Sequence, residues 1–129
     1  MKLEGRKIYK GVAEAEAIVT KDAISFYGGV DPENGEIVEA GHELEGVSIT
    51  GKVLVFPTGK GSTVGSYTMY RMSKNNTAPV AIVNEQIDTI IAVGCIISEI
   101  PCVDKIKINN IQTGQNVIVD GTRGIVEVK

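Results

Sequence analysis

Six residues, Pro57-Thr58-Gly59-Lys60-Gly61-Ser62, join an apolar β-type run to a helix-type run, and the chain concentrates its potential chemistry there. Gly59 and Gly61 permit backbone angles that other residues resist, and Ser62 stands where a helix N-cap belongs. Its hydroxyl is then expected beside free N–H groups at the positive end of a helix dipole, a setting for an anion or an anionic transition state. A reactive serine, an anion cradle and a plain helix cap all fit that position. A serine hydroxyl is a weak acid and needs an activator. No histidine or acid is adjacent in sequence, and Lys60 is the one nearby group able to help electrostatically. A nucleotide-binding loop is disfavoured, because Lys60 precedes Gly61 where the Walker pattern requires Gly-Lys-Ser/Thr.

Three further spots could contribute. In Gly28-Gly29-Val30-Asp31-Pro32 the paired glycines allow a ligand or partner to approach the backbone, and Asp31 offers a carboxylate stiffened by proline; a wide turn explains the same composition. Asn84, followed by Glu85, ends an apolar run and so belongs at a mouth. Arg71 follows Ser62 on the same predicted helix, where it meets either an anionic substrate or solvent. His42, between Gly41 and Glu43, reads as a loop residue.

The elements that must position these residues follow from periodicity. Residues 53–56, Val-Leu-Val-Phe, form a buried strand stopped by Pro57, and 78–84 form another; a helix over 62–75 fits between them. Strand, helix and strand over about 30 residues make a crossover unit, which predicts a parallel pair with the Ser62 loop at a strand's carboxyl end. Residues 13–19 alternate apolar and acidic and predict a strand with one wet face. Residues 24–27 form a short strand or a loop edge, and 28–35 a long turn-rich loop. Further strands are expected at 47–49, 100–103 and 105–108, with a second helix over 88–97 capped by Asp88 and weakened by Gly94. Residues 116–120 and 124–128 flank Gly121-Thr122-Arg123 as a hairpin. The pattern is a single β-rich α/β domain with two helices.

Composition narrows the function. With 129 residues, 43% of them hydrophobic and 22% charged, the chain suits one globular domain with a real core. A net charge of −3 and only four Tyr, two Phe and no Trp disfavour nucleic-acid binding. The longest apolar run, residues 90–97, falls far short of the roughly 20 residues of a membrane span, and the charged amino terminus has no signal-type apolar region, so a cytoplasmic protein is expected. Cys95 and Cys102 sit among apolar residues far in sequence from His42, and the expectation is two core thiols and no metal or cofactor bound by this chain.

Five blocks, SFYGGVDPENGEIVEAGHELEG, VLVFPTGKGSTVGSY, APVAIVNE, IIAVGCIISEIPCVD and VIVDGTRGIVEV, resemble in order and spacing the small subunit of the aconitase X family, over nearly the whole chain. The resemblance implies the swivelling β/β/α domain of aconitase-type enzymes spanning residues 1–129. It also implies a large aconitase X-like subunit carrying a [4Fe-4S] cluster whose iron acts on a leaving hydroxyl, and an active site shared between the chains. The family's proton-accepting serine falls on Ser62. Gly28, Gly29, Asp31, Lys60, Gly61, Arg71 and Asn84 become candidates for the interface or substrate edge. The implied reaction removes water from a hydroxy acid, foremost (R)-5-phosphomevalonate giving trans-anhydromevalonate 5-phosphate, with cis-3-hydroxy-L-proline as the alternative; the small subunit alone should be inactive. A non-catalytic anion-binding or assembly module is the reading from a different class. A phosphohistidine swivelling domain is excluded, because His42 lacks the glycine-rich Ser-His setting.

Overall fold

A computed structural model describes residues 1–129. The chain opens with two short strands, β1 (Lys2–Glu4) and β2 (Arg6–Tyr9), and the long β3 (Val12–Val19). A single irregular turn, α1 (Phe26–Gly29), leads into a small hairpin of β4 (Val30–Asp31) and β5 (Glu36–Ile37). The crossover unit follows as β6 (Val53–Phe56), α2 (Gly65–Lys74) and β7 (Ala81–Asn84), then α3 (Thr89–Ser98) and β8 (Cys102–Asp104). A 3-10 turn (Ile108–Asn110) precedes the closing hairpin of β9 (Asn116–Asp120) and β10 (Ile125–Val128).

Eight strands run in the order β1-β10-β9-β3-β6-β7-β8-β2. Its two ends, β1 and β2, are separated in sequence by Gly5 alone, so the sheet curls back and its edges meet there. Gly5 N–H donates to the Gly124 carbonyl at 2.8 Å, while its Cα lies against the Asp104 carbonyl and Val103. Closure removes the exposed edges that an open sheet would present. β3 joins the two halves: Val12–Glu16 pair antiparallel with β9, and Ala17–Val19 pair parallel with β6. The β6–β7 and β7–β8 pairs are also parallel.

Strand alternation makes two cores from one sheet. Val53, Val55, Ala81, Val83 and Val103 point inward, where they meet Val117, Val119 and Val126 of the hairpin. Leu54, Phe56, Ile82 and Cys102 point outward and are covered by Met69, Met72, Ile91 and Cys95 of the helices. This is the β/β/α layering that the aconitase X resemblance implies. Each fully buried aliphatic or aromatic side chain contributes about 1.5–3 kcal/mol. Gly94 has a packing reason: a Cβ there would fall 2.2 Å from the Met69 sulfur, so the glycine lets α2 lie close against α3.

Several expectations are corrected. The helix predicted from residue 62 begins at Gly65, and 78–84 is strand only from Ala81. Residues 105–108 alternate but do not form a strand, because Lys105 adopts a left-handed φ of 62° that breaks the extended run. Residues 47–49 contribute only an isolated bridge, Ser48 to Glu36. β1 and β2 were absent from the sequence reading; their partners are β10 and β8, more than 90 residues away in sequence. The capping of α3 by Asp88 is as expected.

Because Gly5 is the seam of the closed sheet, Gly5→Ala is expected to lower unfolding free energy by about 1–3 kcal/mol, measured by chemical denaturation. A Cβ there would sit 2.2 Å from the Asp104 carbonyl oxygen.

Candidate active site

The parallel strands β3, β6, β7 and β8 all end on one side, so the four loops that leave them must share a mouth. Backbone bonds knit these loops together. Thr20 N–H donates to the Val55 carbonyl at 3.0 Å, Lys60 N–H to the Ile24 carbonyl at 3.0 Å, Glu85 N–H to the Pro57 carbonyl at 3.0 Å, and Lys105 N–H to the Glu85 carbonyl at 3.0 Å. The Ser62 loop is thus held from both sides.

Asp88 is the main strut. Its Oδ2 accepts from Ile90 N–H at 3.1 Å, capping α3, while Oδ1 accepts from Gly59 N–H at 3.1 Å. One carboxylate therefore fixes the start of α3 and the base of the Ser62 loop together. Beyond it, Gly61 turns with a φ of 86°, and a Cβ there would meet the Ser25 hydroxyl at 2.3 Å. That hydroxyl donates to the Tyr27 carbonyl at 2.9 Å and shapes the start of α1, whose approach to the loop is fixed by the Lys60 N–H bond to the Ile24 carbonyl.

Ser62 emerges from this scaffold exposed. Its Oγ accepts from Val64 N–H at 3.2 Å, and its carbonyl accepts from Gly65 N–H at 3.0 Å, so the serine caps the turn that precedes α2 rather than α2 itself. The N–H groups of Gly61, Ser62 and Thr63 make no bond within the chain. Three successive unbonded donors flank one accessible hydroxyl just before a ten-residue helix, a setting suited to holding negative charge.

The other predicted residues are distributed unequally. Lys60 points its ammonium at Glu39, with Nζ 2.8 Å from Oε2, and not at Ser62. Arg71 is paired with Glu33. Gly28, Asp31 and Arg71 line one open groove of about 330 Å³ beside α2, together with Tyr27 and Thr68. Asp31 Oδ1 accepts from Glu33 N–H at 2.9 Å and so shapes the hairpin tip. Gly29 is buried against the Glu39 side chain. Asn84 corrects the sequence reading: its side chain is fully buried, and Nδ2 donates to the carbonyls of Phe56 at 3.0 Å and Val83 at 3.2 Å. It braces the end of β6 beneath the loop and does not stand at the mouth's surface.

Glu39 is the residue that sequence reasoning missed, since nothing in its run Ile37-Val38-Glu39-Ala40-Gly41 marks it, yet it links the Gly28-Gly29 turn to Lys60. His42 is likewise structural: Nε2–H donates to the Ala23 carbonyl at 3.1 Å while Nδ1 accepts from Leu44 N–H at 3.0 Å. Both thiols are buried, and the Cys102 thiol is pushed well above its ordinary range by its hydrogen bond with Cys95 and by burial. Thiols of that kind are inert. No group of three or more His, Cys, Asp or Glu side chains converges to hold a metal, so these residues do not fit a cluster. No helix is long and apolar enough to cross a membrane.

Two predictions test the scaffold. Asp88→Ala should lower stability by about 1–2 kcal/mol through the lost cap and speed hydrogen exchange at Gly59. Glu43 ties the end of β3: the Thr20 hydroxyl and the Lys21 N–H donate to its Oε1 and hold its carboxyl below the ordinary range. A carboxyl with a depressed folded-state pKa stabilises the fold above its unfolded-state value, and that stabilisation disappears as pH falls through the folded-state value. Glu43→Gln should therefore melt below the parent at neutral pH, with the gap closing as pH drops through the carboxylate range in a thermal-melt series.

Comparison with known proteins agrees with this architecture. The family model for the aconitase X swivel domain matches residues 2–128. The phosphomevalonate dehydratase small subunit of Thermococcus kodakarensis is 53% identical over 128 residues, covering 99% of this chain and 96% of that one. Its counterpart from Methanocella arvoryzae is 51% identical over 131 residues, covering 99% of each chain. The crystal structure of Thermococcus kodakaraensis aconitase X in its holo-form superposes with a TM-score of 0.98 at 52% identity, covering 100% of this chain and 98% of that chain.

Proposed function

The chain belongs to the aconitase X swivel-domain family, and from that premise we propose that it is the small subunit of a cytoplasmic hydro-lyase that dehydrates (R)-5-phosphomevalonate to trans-anhydromevalonate 5-phosphate. The names of its relatives support the substrate. The observation that carries the mechanism is the exposed Ser62 hydroxyl among free backbone donors at the start of α2.

In this reading Ser62 Oγ, already relieved of its own proton, takes the proton from the carbon beside the substrate carboxylate, the carbon–carbon double bond forms as the carbon–oxygen bond breaks, and the departing hydroxide takes up a proton from an acid of the assembled site and leaves as water. Val64 N–H already donates to Oγ, and that bond strengthens as the oxygen gains negative charge. The unbonded N–H groups of Gly61, Ser62 and Thr63 face the same task, or the carboxylate of the substrate. Asp88, the Ile24 carbonyl and the buried Asn84 keep the loop from moving while the proton transfers. Lys60 joins as half of an ion pair with Glu39, so the base that takes the Ser62 proton belongs to the partner. Departure of the hydroxyl requires an electrophile that this chain does not supply, and the family reading puts a [4Fe-4S] cluster on the large subunit. Neither chain alone then completes the reaction.

Ser62→Ala, co-expressed anaerobically with the large subunit, should assemble normally and lose about 10²–10⁴-fold in kcat with little change in KM. Full turnover in the variant would remove Ser62 from the mechanism, while turnover of cis-3-hydroxy-L-proline in place of phosphomevalonate by the unaltered complex would reassign the substrate.

A further inference from the structure

α3 presents an unsatisfied physical demand. None of its ten residues is charged, and it is apolar on every face. A helix of that character ordinarily lies inside a protein or a membrane, and ten residues cannot span a membrane. Its inner face is buried through Ile91 and Cys95, but Val93 is 40% exposed and Ile96 51% exposed. These two, three positions apart, share the outer face.

The neighbouring helix extends the surface. Tyr67 of α2 is 70% exposed, the most exposed large apolar side chain of the molecule, and Val64 just before α2 is 45% exposed. The helices are clipped together where the Ser66 hydroxyl donates to the Ile90 carbonyl at 3.0 Å. Between them lies a groove of about 310 Å³ lined by Val64, Tyr67, Ile90 and Val93. Apolar exposure of this extent, contiguous and centred on an aromatic side chain, marks an interaction surface.

We infer that the α2–α3 face, from Val64 and Tyr67 across the groove to Val93 and Ile96, is the seat of the large subunit, which places an uncharged, apolar patch on it. The inference rests on the dehydratase reading. Continuity with the reacting serine selects the occupant: Val64 N–H is bonded to Ser62 Oγ, so any chain that closes over the serine also lies on Val64 and Tyr67. Charge agrees, because no charged side chain lines the groove between the helices, and Lys60 and Arg71 are matched within the chain by Glu39 and Glu33. A groove without charged side chains complements an uncharged patch better than an ionic one.

The test uses the two-chain complex. Val93→Glu and Ile96→Glu should each weaken binding of the large subunit by about 100-fold or more, measured by titration calorimetry under anaerobic conditions. Both isolated variants should melt within a few degrees of the parent, as expected for partly exposed positions; Ser62→Ala should bind as the parent does. Parental affinity in both glutamate variants overturns the inference. So does a homodimer of the isolated chain that Val93→Glu dissolves while assembly with the large subunit is untouched, since a second copy would then own the face. A parental complex that assembles through this face and leaves phosphomevalonate unchanged counts against the substrate reading and leaves the docking surface standing.

Discussion

Parallel pairing of β3, β6, β7 and β8 is the constraint on which the rest of this molecule depends. Parallel strands need crossover connections, and a right-handed crossover starts its helix at the carboxyl edge of the sheet. The amino terminus of α2 is thereby brought to the edge where the loops after β3, β7 and β8 also emerge. The Ser62 environment is a direct outcome: four loops crowd one edge, their backbones bond to each other, and one helix start is left with donors that no loop satisfies. The closing hairpin serves the same end indirectly, since β9 and β10 seal the inner face on which β6 and β7 rest.

Local signals in the sequence were enough for the elements that close on themselves. β6, α2 and β7 announce a crossover through apolar runs and turn residues, Asp88 announces α3, and β9–β10 announces itself by its turn. The failures are non-local. Lys2–Glu4 and Arg6–Tyr9 carry too many charges to look like strands, and they become strands because β10 and β8 provide partners from the far end of the chain. Residues 105–108 show the converse, a strand-like alternation cancelled by one left-handed residue.

Site residues divide the same way. The turn through Gly59, Gly61 and Ser62 was legible because turn chemistry and helix capping act over a few positions. Glu39 was not legible, because its role is a meeting with Lys60 across 21 positions of irregular chain. Asn84 was misplaced for a third reason: a polar residue ending a strand can face the mouth or turn back under it, and periodicity cannot distinguish these. The structure turns it back, where its amide supplies the donor that the Phe56 carbonyl lacks at the strand's end.

The pairing of Lys60 and Arg71 bears on how a phosphorylated hydroxy acid would be held. A free cation would attract the substrate before closure; a paired one does so only if its carboxylate partner yields. Both pairs are solvent-exposed to a large degree, and exposed pairs of this kind are worth about 0–1 kcal/mol, so exchanging a carboxylate for a phosphate is a small step energetically. Glu39 and Glu33 both come from the segment that carries the Gly28-Gly29 turn, and such an exchange at either cation removes one tie of that segment while the Asn75 and Thr77 side chains still donate to its Pro32 carbonyl at 3.0 and 2.7 Å. Exchange of a carboxylate for a phosphate at Lys60 or Arg71 therefore frees a glutamate without unseating the segment, whose Val30 and Ile37 stay in the core.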